Sequence, residues 1–338
     1  MNPAVKLQKC WIKNNIKLNL DTAKIPSKED ILTASSRIKN YIHRTPVLTS
    51  DLINQMFGCE LFLKCENFQK VGAFKSRGAI NATLSLTKDQ VKNGVCTHSS
   101  GNHAQALARA AKLFNIKAYI VMPKNAPDVK VAAVKQYGGE ITFCEPTLEA
   151  RESTLKKIIL KTGANEIHPY NDYRIICGQA TAAMEFFEDI PDLQKIIAPV
   201  GGGGLLSGTA LATMHFSPKT KVIAAEPEMA NDAFRSFYEG KFIPSTNPKT
   251  IADGLLTSLG SLTYPIILKH VDQIITAKEN SIIEAMRLIW ERMKIIIEPS
   301  SAVPLAALIE NKIDVKGQKI GIIISGGNID LAKLPWIK

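Results

Sequence analysis

At 338 residues, with 45% hydrophobic and 22% charged side chains, the chain has the composition of an ordinary folded protein, which excludes disorder as its main description. The length suits about two domains, or one domain carrying a large insertion. A formal charge of +11 raises nucleic acid or a membrane surface as partners, but beyond the first thirty residues the Lys and Arg residues form no block and no aromatics interleave with them, so a solvated lysine-rich surface is expected and no nucleic-acid partner is.

Residues 1–27 read as a loosely held arm in which Lys6, Lys9, Lys13, Lys17 and Lys24 face the single acid Asp21. Ser27, followed three residues later by Asp30, has the form of a capping box, and Ile31, Ala34, Ile38 and Tyr41 recur behind it at helical spacing. Short apolar runs then predict strands at Glu60–Leu63, Gly94–His98, Ala118–Met122, Ile141–Cys144, Ile196–Val200, Val222–Glu226, Gln273–Ile275 and Ile320–Ser325. Helical spacing fills the intervals, as at Ala104–Phe114, Leu206–Met214 and Ile282–Met293. Nearly continuous apolar strands alternating with helices predict an α/β protein with mostly parallel sheet covered by helices on both faces. Runs such as Ile295–Ile297 and Ile320–Ile324 are far shorter than the ~20 residues of a membrane span, so no membrane partner is expected. The six cysteines (Cys10, Cys59, Cys65, Cys96, Cys144, Cys177) contain no CxxC pair and follow no signal-peptide core, which points to reduced thiols in a cytoplasmic protein.

In such sheets ligands bind beyond the carboxyl ends of the strands, and four junctions carry the residues for chemistry. Val71-Gly-Ala-Phe-Lys-Ser-Arg-Gly78 sets Lys75 where a strand region gives way to a helix. Ser99-Ser-Gly-Asn-His103 places side-chain donors and backbone N–H groups at a helix start, which suits a carboxylate or phenolate oxygen. Gly201-Gly-Gly-Gly-Leu205 puts unencumbered N–H groups at another helix start, a phosphate cradle; Leu206 spoils the GxGxxG dinucleotide pattern, and no Walker lysine follows. Ser325-Gly-Gly-Asn328 closes the last strand. A lysine amine together with a phosphate cradle is what an aldehyde cofactor of the pyridoxal phosphate type requires.

These junctions in this order, with His43-Arg-Thr-Pro-Val-Leu-Thr-Ser50, Thr250-Ile-Ala-Asp-Gly254 and the pair Glu298-Pro299, resemble the fold-type II pyridoxal phosphate enzymes, specifically the serine racemase and catabolic serine/threonine dehydratase branch. The resemblance runs from about residue 28 to the C-terminus. It implies two open, twisted, mostly parallel sheets, with a large domain of residues 1–93 and 172–338 and a smaller mobile one of 94–171. It implies Lys75 as the Schiff-base lysine and base at Cα, Phe74 positioning the ring, and Asn102 bonding the phenolic oxygen. Gly201, Gly202, Gly203 and Gly204 would hold the phosphate, Gly254 and Glu298 would border the cofactor, and Ser325 would face the pyridine nitrogen. A neutral hydroxyl there does not hold a proton on that nitrogen as an Asp would, which favours β-elimination.

By the same resemblance Ser99, Ser100, Gly101, Asn102 and His103 bind the substrate, and Ser100 is a second base on the face opposite Lys75, as racemisation requires. Arg151 matches a position near the substrate's β-end, where it would accommodate a β-carboxylate. Glu226, Ala230 (through its carbonyl) and Asp232 match a site for Mg²⁺ or Ca²⁺; an acidic helix start is the plainer account of the same residues. Asp51 and Val71 stand where animal racemases carry small hydroxyl residues near a nucleotide site, which argues against ATP activation. The expected reaction is loss of water and ammonia from L-serine or L-threonine, giving pyruvate or 2-oxobutyrate, by a homodimer with accompanying serine racemase activity. Racemisation or 3-hydroxyaspartate dehydration as the main activity is the alternative, and a non-catalytic basic binding protein on the same fold the remote one.

Overall fold

The computed structural model describes residues 25–99 and 101–337. The predicted arm up to Lys24, with Cys10, and the predicted second base Ser100 lie outside the described residues. At Ser27 the predicted capping box forms: Ser27 Oγ accepts the Asp30 N–H at 3.2 Å, the Asp30 carboxylate accepts the Ser27 N–H at 2.8 Å, and a helix follows over Lys28–Ile38.

The strands in chain order are β1 (Val47–Leu48), β2 (Glu60–Cys65), β3 (Val95–His98), β4 (Ala118–Pro123), β5 (Glu140–Cys144), β6 (Asn165–Glu166), β7 (Lys195–Pro199), β8 (Lys221–Pro227), β9 (Gln273–Ala277) and β10 (Lys319–Ile324). All eight predicted strands form, each within two residues of its expected ends. The two unpredicted ones, β1 and β6, have two residues each, too few to show a period. One sheet has the order β1-β2-β10-β7-β8-β9, the other β5-β4-β3-β6, and every pairing is parallel except β1 with β2.

Alternating residues of the six-stranded sheet supply two separate cores. Ile197, Ile223, Ile275 and Ile322 pack with the helices Glu279–Met293 and Pro299–Ile309 on one face, while Ile196, Val222, Ile274 and Ile323 pack with Tyr173–Asp189 and Gly204–Phe216 on the other. Burial on both faces is why these strands read as continuous apolar runs. The helix Lys75–Leu84 crosses Tyr173–Asp189 so closely that a Cβ on Gly178 would lie 2.5 Å from the Gly78 Cα.

Behind that crossing sits a buried ionic cluster. The Arg77 guanidinium bridges Glu66 (2.7 and 2.9 Å) and Glu185 (2.8 Å to each oxygen), and Lys64 Nζ lies 3.0 Å from Glu185 and donates to the Thr45 carbonyl at 2.8 Å. Arg77, Lys64 and Glu66 are fully buried. Two cations against two carboxylates, each hydrogen-bonded, let charges stand in an apolar interior, and they tie β2, the Lys75 helix and Tyr173–Asp189 into one unit. Among the described residues no helix is long and apolar enough to cross a membrane.

Candidate active site

A single cleft gathers the four predicted junctions. Its walls include Lys75, Ser99, Asn102, Arg151, Gly201 to Gly204 and Ser325, from segments that follow strands of both sheets. Phe74, Gly101, His103, Gly254 and Glu298 line it as well.

Lys75 does not follow a strand directly, as its sequence context suggested. Two single-turn segments, Glu66–Phe68 and Lys70–Gly72, intervene after β2, and Lys75 is the first residue of its helix. The segment is pinned to the end of β10: Ala73 bridges Gly326, and the Phe74 N–H donates to the Ser325 carbonyl at 3.0 Å. The Lys75 ammonium donates to the Pro169 carbonyl at 2.7 Å and lies 5.1 Å from the Phe74 ring centre. Burial pushes its pKa down to about 8, with the Glu298 carboxylate opposing the shift. A lysine so placed gives up its proton more readily than an exposed one.

After β7, Gly203 adopts φ 87°, and the helix Gly204–Phe216 begins at the next residue. The N–H groups of Gly201 to Gly204 have no hydrogen-bond acceptor among the described residues. Tyr170 explains the glycine at 202: a Cβ there would sit 2.4 Å from its ring. Free N–H groups at a helix start, with no side chain to shield them, are available to an anion.

Across the cleft Asn102 opens the helix Asn102–Leu113 and donates to both Glu298 oxygens at 2.9 and 3.1 Å, while its own oxygen accepts from Asn328 at 2.9 Å. Burial, reinforced by the Asp253 charge, pushes Glu298 up to about 7. Gly254 donates its N–H to Ser300 Oγ at 3.0 Å. The Ser325 hydroxyl stands 3.0 Å from Ser301 Oγ.

His103 binds the Ile167 carbonyl through Nε2 at 3.0 Å, and burial holds it well below the usual histidine range, so it is neutral. Burial also pushes His168 down to about 4; its Nδ1 accepts the N–H groups of Tyr170 and Asn171, so its hydrogen is on Nε2. Arg151, in the first turn of Leu148–Thr162, lines the same cleft, with Nε donating to the Thr147 carbonyl at 3.3 Å. Burial and then the Arg151 charge lower the pKa of the neighbouring His98.

The predicted metal ligands lie at the end of β8. Glu226 accepts the N–H groups of Ala233 and Phe234 at 2.9 and 2.7 Å, the helix-start role that was the plainer account. Asp232 is 2% exposed, and neither of its oxygens makes a hydrogen bond of normal geometry, although Ser245 is near. Burial raises the pKa of both carboxyls. Among the described residues no group of three or more His, Cys, Asp or Glu side chains converges on a metal position.

Tyr170, Pro169, Ser301 and Asn328 belong to this cleft or its support and carry no sequence assignment. Each acts through a partner far away in the chain, so no local pattern marks it.

Comparison with known proteins places these residues in context. The family described as pyridoxal-phosphate dependent enzyme matches residues 38–326. The chain is 51% identical over 312 residues to a beta-hydroxyaspartate dehydratase of Paracoccus denitrificans, covering 92% of this chain and 99% of that one. An L-threo-3-hydroxyaspartate ammonia-lyase of Saccharomyces cerevisiae is 44% identical over 310 residues, covering 91% and 95%. The crystal structure of a serine racemase from Dictyostelium discoideum superposes with a TM-score of 0.84 at 52% identity, covering 90% of this chain and 98% of that one.

Proposed function

The chain belongs to the pyridoxal-phosphate dependent enzymes, and from that premise we propose that it removes water and ammonia from a β-hydroxy amino acid to give a keto acid, with L-serine, L-threonine and 3-hydroxyaspartate as the substrate set. One observation carries the reading: a buried lysine, whose ammonium burial disfavours, shares its cleft with a row of free glycine N–H groups. That donor set fits a phosphorylated aldehyde, with Lys75 as its covalent anchor and Gly201 to Gly204 on its phosphate. Once bound, the cofactor supplies the sink that draws negative charge from the substrate's Cα.

The chain's own groups do the rest. Lys75, as free amine, takes the Cα proton; burial keeps it from being fully charged near neutral pH. The helix start at Asn102 and the loop beside it hold the substrate carboxylate, with Ser99 and neutral His103 at its edge. Phe74, Asn102 and Ser325 orient the ring, as the resemblance implies. The net change is loss of the Cα hydrogen and β-hydroxyl as water, then uptake of water and release of ammonia. Residues 94–171, which carry the four-stranded sheet, form the smaller domain that closes over the substrate in this reading.

Arg151 in the cleft wall favours the member with a second carboxylate, and both hydroxyaspartate-cleaving relatives support it. Arg151→Met is expected to lower kcat/KM for 3-hydroxyaspartate by about 10- to 100-fold, the worth of one charge-assisted hydrogen bond, and to affect serine far less. Keto-acid release from L-serine, L-threonine and both 3-hydroxyaspartate diastereomers measures this, and an equal loss on all four would remove Arg151 from specificity.

The serine racemase relative favours a second reading in which the same site also inverts serine. Inversion needs a base on the opposite face, which the resemblance assigns to Ser100. Chiral chromatography in the same assays tests it: Ser100→Ala should stop D-serine formation while keto-acid release continues.

The orphaned Asp232 oxygens, with Glu226 and the Ala230 carbonyl, suit a hard divalent cation such as Mg²⁺ or Ca²⁺ in a structural role. Chelation should then lower the melting temperature and either ion restore it; a melting temperature indifferent to both would remove the cation. A homodimer is part of the same proposal, and sedimentation at the monomer mass would contradict it.

A further inference from the structure

Lys130 is the third residue of the helix Asp128–Gln136, which follows β4, and it is only 8% exposed. A lysine buried to this degree costs stability unless its ammonium meets a counter-charge. The one it meets is the Asp253 carboxylate, far along the chain in the single turn Asp253–Leu255. Both residues line the cleft. Among the described residues this is the only ion pair that joins residues 94–171 to the rest of the chain.

Each end of the pair is fixed to a different wall. A Cβ on Gly101 would lie 3.7 Å from the Lys130 amine, so the amine rests against the backbone just before the helix start at Asn102. The Asp253 N–H donates to the Ile251 carbonyl at 2.9 Å, and Gly254, the next residue, donates to Ser300 Oγ at 3.0 Å. The same turn is packed on the glycine loop, since a Cβ on Gly201 would come within 2.8 Å of the Leu255 Cα.

We infer that Lys130 and Asp253 are positioning residues whose ion pair fastens the backbone at Gly101, where substrate is held, to the wall that carries the glycine loop. This rests on the cofactor and substrate reading above and deepens it. With the pair intact, the two walls stand at the spacing in which one substrate reaches both; without it, part of the binding energy goes into bringing them together. Neither side chain is needed on the substrate itself, so serine, threonine and 3-hydroxyaspartate depend on the pair alike, whereas Arg151 distinguishes among them. A purely electrostatic role has a different signature. Burial and then Asp253 raise the pKa of Glu298 while Lys130 lowers it, so loss of either charge alone would disturb Glu298 in opposite directions. Loss of a link moves both single variants in the same direction.

Steady-state kinetics of the holoenzyme test this with Lys130→Met, Asp253→Asn and the double variant, on all three substrates. Each variant is expected to raise KM about five- to tenfold, the worth of one part-buried ion pair, with a much smaller change in kcat, and the double variant to be no worse than either single one. A merely structural role would lower the melting temperature and the yield of active enzyme and leave KM alone. The Asp253 side chain is half exposed, so Asp253→Asn folds even if Lys130→Met does not, and a wild-type KM in Asp253→Asn by itself overturns the inference. It is equally overturned if the two single effects have opposite signs or add in the double variant. A wild-type protein that takes up no cofactor would defeat the underlying reading instead, whereas full turnover by the wild type with unchanged KM in the variants defeats this inference alone.

Discussion

Replacing Lys75 with alanine is expected to lower keto-acid release by at least about 10³-fold, because in the proposed mechanism one amine serves both as cofactor anchor and as the base at Cα. The cofactor's absorbance in the folded protein should shift to that of the free aldehyde. The pH dependence has a definite sign. Burial brings the ammonium down to about 8, and only the free amine attacks an aldehyde, so the rate of cofactor capture by the apoprotein should rise about tenfold per pH unit below that value and level off above it. Stopped-flow absorbance checks this. A capture rate still rising steeply above pH 9 would mean that Lys75 keeps an ordinary lysine pKa.

The largest stability effect is expected at Arg77. Arg77→Leu leaves Glu66 and Glu185 buried without their shared partner, which costs about 3–5 kcal/mol, read as a lower urea midpoint. Cofactor affinity should fall with it, since Arg77 lies on the helix that begins at Lys75. Burial alone would raise the Glu185 pKa, but the Arg77 hydrogen bonds and charge, with Lys64, outweigh it and hold the carboxyl below the usual glutamate range. A carboxyl lowered in the folded state contributes stability above its unfolded value and loses it as pH falls through the folded one, so the contribution of Glu185 should fade in acid. An unchanged midpoint in Arg77→Leu would show that the cluster does not stabilise the fold.

What the sequence makes legible follows from physical range. Ile320 to Ile324 predict β10 because a strand buried on both faces must be apolar throughout, and Gly201 to Gly204 predict an anion site because bare N–H groups at a helix start have few other uses. Lys75 becomes meaningful only beside that cradle. Tyr170, by contrast, earns its place from a ring packed on Gly202, Asn328 from a bond to Asn102, and Ser301 from contacts with Gly326 and Ser325 more than twenty residues away. Arg77 reads as one more surface cation until Glu66 and Glu185 close around it. Local pattern cannot register a partner that only the fold supplies. Substrate choice is less legible still, because Arg151 looks like any arginine in the first turn of a helix until the cleft is formed around it.

In the proposed mechanism Lys75 is the residue that binds the cofactor covalently. The direct measurement is borohydride reduction of the reconstituted protein, digestion, and mass spectrometry of the labelled peptide. The expected result is one pyridoxyl group on Lys75, absent from Lys75→Ala; a label on another lysine, or none on a protein that is folded and saturated with cofactor, would contradict the account.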